Sequence, residues 1–444
     1  MRKIIYATGL VLTMATMSSC KKYLDIVPVG KVVPTTVEDF TQELDIAYLT
    51  TDLDKGLAGY RGDEITVNET RSRDVDLILN NFLWDENGPA KSLTYGWRNK
   101  YQQLFYANHI IEAAPAATGG SSAQKAQLLG EAYLMRAYVH FNLVNLYGNA
   151  YNEATAATDK AVPVITEVDM EKVARRNTVK EVYTQVLADL EQGLSLVNVD
   201  AFETAQSYKF SKTAGMAMAA RIYLYTHQWE KALNAAKAVL EKKNTLADFN
   251  TSNTLPTLYN SIETIQAFEQ NFNAVLVQTA YVSDKLFSMY NTTGDLRLKI
   301  FYGKDSKGKN TVAKTNFGNN YRQSFRVAEM YLIAAEAAAQ LNQPEVARNY
   351  IDQLTQRRHT PAFHATEQIR LATLSGKDLL QEIYDERFRE LSFEGHRWFD
   401  LRRTSQPEIV HTLKGKSVTL KANDPRYTIR IPMDAVANNP LLNE

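Results

Sequence analysis

Ala219-Ala220-Arg221-Ile222-Tyr223, a short turn at His227-Gln228, then Trp229-Glu230-Lys231-Ala232 and Ala235-Ala236 describe two tight antiparallel helices. The same plan returns at Met330-Tyr331-Leu332-Ile333-Ala334-Ala335-Glu336-Ala337, followed by a turn at Asn342-Gln343-Pro344 and then Ala347 and Ile351. Ala220 and Ala335, and Ala232 and Ala347, fall at equal offsets in the two copies. Small residues let helix axes approach, and bulky ones between them fill the space around the crossing, which is the tetratricopeptide-type pattern. The copies are dispersed, not tandem. The predicted fold is therefore mainly α: one compact helical domain with embedded tetratricopeptide-like helix pairs, loops and a few short strands, and not an open solenoid.

The flanking sequence extends this reading. Trp97, Tyr101, Leu104, Ala107, Asn108 and Ile111 recur at helical spacing over 95–114, and a second amphipathic run follows over 123–147 after a Gly-Gly-Ser-Ser turn. Helices are also expected over 178–197, 211–226, 229–242 and 377–394, and Thr35-Thr36-Val37-Glu38 resembles a capping box opening another. Residues 51–94 show no sustained period, are rich in Asp, Asn, Gly and Arg, and read as a long, partly ordered loop region of the kind that carries function. Ala274 to Tyr281 favours a strand, and Leu296 to Tyr302 alternates into a hairpin-like turn over Gly303 to Lys309. No linker divides the chain, which predicts a single domain over 20–444.

The amino terminus carries an address. Arg2 and Lys3, an apolar run from Ile4 to about Ala15 and the small-residue close Met17-Ser18-Ser19 read as a cleaved signal peptide over 1–19. Cys20, the only cysteine among 444 residues, follows directly, at the position where a bacterial lipoprotein is acylated. An ordinary signal peptide with a chance cysteine is the competing reading. Several acyl chains on one residue hold a protein durably to a bilayer, so the body of the chain is expected outside the cytoplasm on a lipid tether. With Cys20 lipidated no disulfide can form, and the fold must stand on its core. Fifty basic and fifty acidic residues give no formal charge, and no basic stripe stands out, which argues against nucleic acid as a partner.

The most charged run, Glu382 to Arg397, has two readings. As an active site it offers Glu386, Glu390, Glu394 and His396. As structure it is a glutamate stripe needing arginine partners, and this reading is preferred because buried carboxylates and arginines form packing networks. There is no Gly-x-Ser-x-Gly elbow, phosphate loop or His-x-x-x-His grouping, so no catalytic residue, metal or cofactor is nominated. A glycosidase-type carboxylate pair is defined by distance in space, and an enzyme reading stays open at this level.

Aromatic residues outside the helical period are the better binding candidates. Trp84 lies in the polar stretch Leu83-Trp84-Asp85-Glu86-Asn87-Gly88-Pro89. Tyr60 with Arg61 and Asp63, Tyr281, Tyr290 near Asp295 and Arg297, Tyr302 and Tyr321 are similarly placed. Rings stack on the C–H face of a sugar while neighbouring polar groups read its hydroxyls. For each the competing reading is an aromatic that caps the core. Trp97 and Trp229 are expected in the core, and Trp398 fits either reading.

Cys20-Lys21-Lys22-Tyr23-Leu24-Asp25-Ile26-Val27-Pro28 resembles the start of mature SusD/RagB-type lipoproteins. So do Arg326 to Ala337 and the run Glu386-Arg387-Phe388-Arg389-Glu390-Leu391-Ser392-Phe393-Glu394-Gly395-His396-Arg397-Trp398-Phe399-Asp400-Leu401-Arg402-Arg403, while Ile431-Pro432 with Asn439-Pro440 is similar to the usual ending. The resemblance implies a helical lipoprotein on the outer membrane of a Bacteroidota cell, facing the exterior. It implies a partner, a SusC-like TonB-dependent transporter, and a nutrient ligand, commonly an oligosaccharide and in some members a peptide, with no enzymatic activity. The chain is shorter than many members, so trimmed insertions and a shallow ligand surface are expected, and Lys21-Lys22 stand after Cys20 where an acidic run would signal export to the surface. A periplasm-facing adaptor that holds other proteins through its repeats is the alternative, and a lipid-anchored glycan hydrolase a third reading.

Overall fold

A computed structural model describes residues 33–50, 52–86, 91–169 and 171–443. The signal segment, Cys20 and the stretch Asn87-Gly88-Pro89 lie outside the described residues. In the first half the helices are α1 (Val37–Leu49), α2 (Asp54–Gly59), α3 (Ser72–Phe82), α4 (Trp97–Ala113), α5 (Ser122–Tyr147), α6 (Val179–Leu196), α7 (Lys212–Tyr225) and α8 (Trp229–Lys242). The second half adds α9 (Ala274–Thr279), α10 (Asp284–Ser288), α11 (Arg297–Phe301), α12 (Val327–Gln340), α13 (Pro344–Thr355), α14 (Pro361–Thr373), α15 (Gly376–Leu391), α16 (Arg397–Arg403) and α17 (Met433–Asn438). Among the described residues eight short strands accompany them: β1 (Ile65–Val67), β2 (Thr264–Gln266), β3 (Ala280–Val282), β4 (Tyr302–Lys304), β5 (Asn310–Val312), β6 (Phe325–Arg326), β7 (Ile409–Leu413) and β8 (Lys416–Leu420).

The helix ends follow local chemistry. Ser121 and Thr178 open α5 and α6 with capping boxes closed by Gln124 and Glu181. At α1 the box forms one residue later than the sequence suggests: Thr36 Oγ1 accepts the Asp39 N–H at 3.1 Å, and Asp39 Oδ2 accepts the Thr36 N–H at 2.9 Å.

The predicted repeat pairs are α7–α8 and α12–α13, and α8 packs directly on α12, so the two copies stack side by side. Ala220, Ala232, Ala335 and Ala347 are all buried at the crossings. His227 and Asn342 occupy equivalent turn positions, both at positive φ (57° and 56°), a region in which His and Asn are over-represented among residues bearing a side chain. One position further along each first helix the copies diverge in charge: Arg221 donates from Nε to Glu329 at 2.6 Å, whereas Glu336 accepts from Arg403 at 2.5 and 2.7 Å. Both charges are buried and both are answered. The helices α4, α5 and α6 pack in sequence beside this stack.

Residues 51–94 are more regular than their composition suggests. They form α2, β1 and α3, and Val75, Ile78 and Phe82 face inward at helical spacing despite the Asp and Asn residues between them. The expected strand over 274–281 is mostly helix α9, because the Asn273 side chain accepts the Leu276 N–H at 3.0 Å and caps a helical turn; only Ala280–Val282 is extended. Likewise Arg297–Phe301 makes one helical turn before the β4–β5 hairpin, whose turn covers Asp305 to Lys309, because Gly303 and Lys304 of the expected turn pair with Thr311 and Asn310 as strand. A four-stranded antiparallel sheet, ordered β1-β3-β5-β4, results from these pieces. Its inner face, with Ile65, Val67, Ala280, Val282 and Tyr302, closes a second hydrophobic core with Tyr60, Ile78, Phe82, Phe249, Leu276 and Phe388.

A buried ionic network lies between helices and strands. Glu386, Glu390 and Glu394 share one face of α15 and its exit at spacing i, i+4, i+8. Glu390 accepts from Arg326 at 2.8 Å, from Arg358 at 2.9 and 3.0 Å and from Arg297 at 3.1 Å. Glu263 joins Arg326 and Arg358, Glu394 takes Arg326 and Lys314, and Glu386 takes Arg297 and Arg389. Burial alone would raise the Glu390 carboxyl, yet Arg358 and Arg326 hold it well below the usual range. The charged run is structural, as its composition suggests.

Two other buried carboxyls have no such partners. Glu131 sits between the Tyr48 hydroxyl (2.8 Å) and the Gln127 amide (3.0 Å), and burial pushes it up to about 7. Glu64 accepts the Phe393 N–H at 2.9 Å and is likewise raised by burial to about 7. The folded values lie above the unfolded one, about 4.3. Between about 4.3 and 7 the fold therefore retains protons that the unfolded chain releases, and the stability they confer is lost as pH rises through 7. Glu131→Gln is expected to shrink the drop in urea midpoint between pH 5 and pH 8. An undiminished drop in the variant would show that Glu131 does not titrate there.

Candidate functional site

The structure sorts the ten candidate ligand residues by exposure, and most turn inward. Trp84 is buried: its Nε1–H donates to the Arg61 carbonyl at 3.0 Å and its ring stacks on His411 at 4.2 Å. The Tyr60 hydroxyl reaches the Leu276 carbonyl at 2.5 Å, and Asp63 accepts from Arg397 at 2.6 and 2.8 Å and from Lys285 at 2.6 Å. Arg61 lies over the Trp398 ring at 5.1 Å and donates to the Arg426 carbonyl at 2.5 Å. Tyr290 and Tyr302 share a hydroxyl contact of 2.8 Å inside the second core, and Asp295 grips Arg297 within the ionic network. Apart from Arg61, which lines a cavity beside Tyr95, these residues have no free face for a sugar. Their polar neighbours suggested exposure, but α2, β1 and α3 fold back against the sheet and the β7–β8 hairpin, and the aromatic side chains fill the gap between those layers.

Tyr281 and Tyr321 remain at the surface. Tyr281 stands on the outer face of the four-stranded sheet, in register with Thr66 on one side and Thr311 on the other, and Thr311 faces Gly303. The alternation that sends Ala280 and Val282 into the core sends Tyr281 outward. Its hydroxyl donates to Asp305 Oδ2 at 2.6 Å, which fixes the ring and pushes the phenol up to about 12. Gly303 brings no side chain to the neighbouring position. The result is a shallow face of one ring, two threonine hydroxyls and a carboxylate.

From β5 the chain runs in five residues to Phe317, in the loop Asn316-Phe317-Gly318-Asn319-Asn320-Tyr321. Phe317 is 50% exposed, which leaves one face of its ring open to a ligand. The loop is well tied. Asn316 Oδ1 accepts the Phe317 N–H at 2.9 Å, Gly318 takes φ +101° where a side chain would be strained, and the Tyr321 N–H donates to the Gly318 carbonyl at 3.1 Å. At its root, buried Lys314 pairs with Glu394 at 2.5 Å, and the Thr257 hydroxyl donates to the Lys314 carbonyl at 2.5 Å. The Asn320 carbonyl accepts the Tyr259 N–H at 2.9 Å, so the loop lies against a neighbouring cavity of about 460 Å³. Tyr259 and Phe202 give that cavity aromatic walls, and Asp200, Asn260, Lys242 and several Ser and Thr residues give it polar ones. Phe317, Tyr259 and Phe202 escaped the sequence reading. For Phe317 the signal was present, since one aromatic among three asparagines and a glycine is as clear as the surroundings of Trp84.

A second cavity, about 410 Å³, lies between Asn80–Glu86, Ser92–Tyr95 and the Ile429–Asp434 segment. No group of three or more His, Cys, Asp or Glu side chains among the described residues could hold a metal ion, and no described helix is long and apolar enough to cross a membrane.

Comparison with known proteins places this architecture. Residues 22–224 match the SusD-like family described as "Starch-binding associating with outer membrane". SusD-like protein P38 of Formosa agariphila is 24% identical, over 93% of this chain and 94% of its own. A SusD superfamily structure from Bacteroides thetaiotaomicron superposes with a TM-score of 0.78 at 20% identity, covering 92% of this chain and 99% of that one. The fold is SusD-like. A laminarin-binding SusD-like protein of solved structure also matches, with a TM-score of 0.63 at 19% identity over 84% of this chain and 92% of that one.

Within the SusD-like frame, the residues that carry the sequence resemblance are not those available to a ligand. Glu386, Glu390 and Glu394 belong to the buried network, and Trp398 is buried and stacked on Tyr427 at 5.0 Å. The shared motif builds the scaffold. The accessible aromatics lie on the sheet face and the 316–321 loop, apart from it.

Proposed function

We propose that this SusD-like chain is a lipid-anchored protein of the outer-membrane surface that captures an oligosaccharide and hands it to a TonB-dependent barrel transporter, without catalysing a reaction. The observation that carries the reading is the exposed, well-tied aromatic–asparagine loop at 316–321, which lies against the cavity with Tyr259 and Phe202, while Tyr281 on the sheet face adds another accessible ring. Fixed rings beside hydroxyl and amide groups suit a carbohydrate, which offers C–H faces and hydroxyls together. The laminarin-binding relative supports a glycan over a peptide. Against catalysis, Glu386, Glu390 and Glu394 are buried and bound to arginines, so none can meet a glycosidic oxygen.

Twelve residues, thirteen Cα steps, lie between Cys20 and Val33, a reach of at most roughly 45 Å. A tether of that length keeps the body close to a barrel in the same membrane, so handover is effectively intramolecular and modest glycan affinity suffices. The test is affinity purification of a tagged copy from gently solubilised native outer membranes. A large TonB-dependent barrel is expected at near-equal amount. Assembly-type partners without a barrel would contradict the uptake role and favour an adaptor.

A further inference from the structure

The cavity beside Tyr259 carries more positive charge than its walls neutralise. Asp200, Lys242 and Lys243 all line it. Lys242 Nζ stands 3.3 Å from Asp200 Oδ1, which uses the one carboxylate of the lining. Lys243, just past the end of α8, has no ion-pair or side-chain hydrogen-bond partner among the described residues, although it is half-buried. Burial lowers its ammonium pKa with no neighbouring carboxylate to offset the effect. Two hydroxyls of the same lining have protons to give. Ser211 Oγ accepts the Ala214 N–H at 3.1 Å and Ser261 Oγ accepts the Glu263 N–H at 3.2 Å, so each uses a lone pair and keeps its O–H for a ligand. Thr213 and Thr264, by contrast, spend their protons on the carbonyls of Asp200 and Leu258.

We propose that this cavity seats an anionic substituent of the captured glycan, a carboxylate or a sulfate ester, with Lys243 as its counter-charge and the Ser211 and Ser261 hydroxyls as donors. The inference rests on the glycan-capture reading and narrows it to acidic glycans. An oxyanion would pair with this free ammonium through a charge-assisted contact while filling two vacant hydrogen bonds. Tyr259 and Phe202 would hold the sugar ring that carries the charge.

Calorimetric titration of the detergent-solubilised full-length protein with paired hexasaccharides tests this. Oligogalacturonate and its carboxyl-reduced form make one pair, and a κ-carrageenan hexasaccharide, whose only charges are sulfate esters, and its neutral desulfated form the other. At least one anionic member is expected to bind at least tenfold more tightly than its neutral counterpart. Lys243→Gln should abolish that preference, Lys243→Arg should restore it, and Lys237→Gln, an exposed lysine of the preceding helix, should leave it intact. Which pair shows the preference separates carboxylate from sulfate. Equal binding of charged and neutral members, or a preference that survives Lys243→Gln, would overturn the inference and leave glycan capture standing. Binding of no glycan at all would overturn both.

Discussion

Replacing Glu390 by alanine is expected to lower the free energy of unfolding by about 3–5 kcal/mol, the usual consequence of removing one partner from a buried ion pair. Glu390 is fully buried and accepts from Arg297, Arg326 and Arg358, which arrive from α11, β6 and the end of α13. Without it, Arg358 retains Glu263, and Arg326 retains Glu263 and Glu394, but three buried guanidinium groups converge on an empty centre. The repulsion and lost hydrogen bonds fall on elements distant in sequence, so a loosened junction between the helical stack and the sheet is expected. Glu345→Ala is the comparison. That carboxylate is 87% exposed beside Arg348, and exposed pairs are worth under about 1 kcal/mol. Urea midpoints of the two variants measure the difference. A Glu390 variant that unfolds with the Glu345 variant would mean that the network contributes little.

The second large effect is on binding. Phe317→Ala is expected to weaken oligosaccharide affinity about tenfold, equivalent to about 1.4 kcal/mol, the scale of one lost aromatic stacking contact. The unfolding midpoint should stay unchanged, since the ring is half exposed and the loop is held by Asn316, Gly318, Asn320 and Lys314 through contacts that survive the substitution. Tyr281→Ala should give a smaller loss, because one shallow ring flanked by Thr66 and Thr311 offers less contact. Calorimetry and thermal melts on the same preparations separate the two readouts. Unaltered affinity in both variants would move the ligand to another surface, such as the cavity beside Tyr95.

The scaffold was more legible in the sequence than the site, for physical reasons. The alanines at 220, 232, 335 and 347 announce helix crossings because only small side chains allow that approach, and local periodicity is enough to see them. The glutamate stripe of α15 likewise announced a need for arginines, although the arginines come from segments that only the fold brings near. Exposure is harder. Trp84 and Tyr60 stand among Asp, Asn and Arg, yet those polar groups are themselves answered inside: Asp63 by Arg397 and Lys285, and Arg61 by the Arg426 carbonyl, over the Trp398 ring. A polar neighbourhood along the chain is therefore no measure of solvent around the ring. Tyr281 escaped burial because strand alternation points it outward, and Phe317 because it sits in a loop turned by Gly318 at positive φ and fixed through Asn316. The short helix at Ala274–Thr279 overrode β-branched propensity through a single side-chain cap, a contest that composition does not decide.

The central claim is capture without turnover on the 316–321 loop and its neighbours. The most direct measurement is titration of the full-length protein with a panel of neutral and acidic oligosaccharides, followed by recovery and sizing of the bound sugar. The account predicts saturable binding of at least one glycan, recovered intact, and weakened about tenfold by Phe317→Ala. A panel that leaves the protein unbound, or a glycan that is recovered shortened, would contradict it.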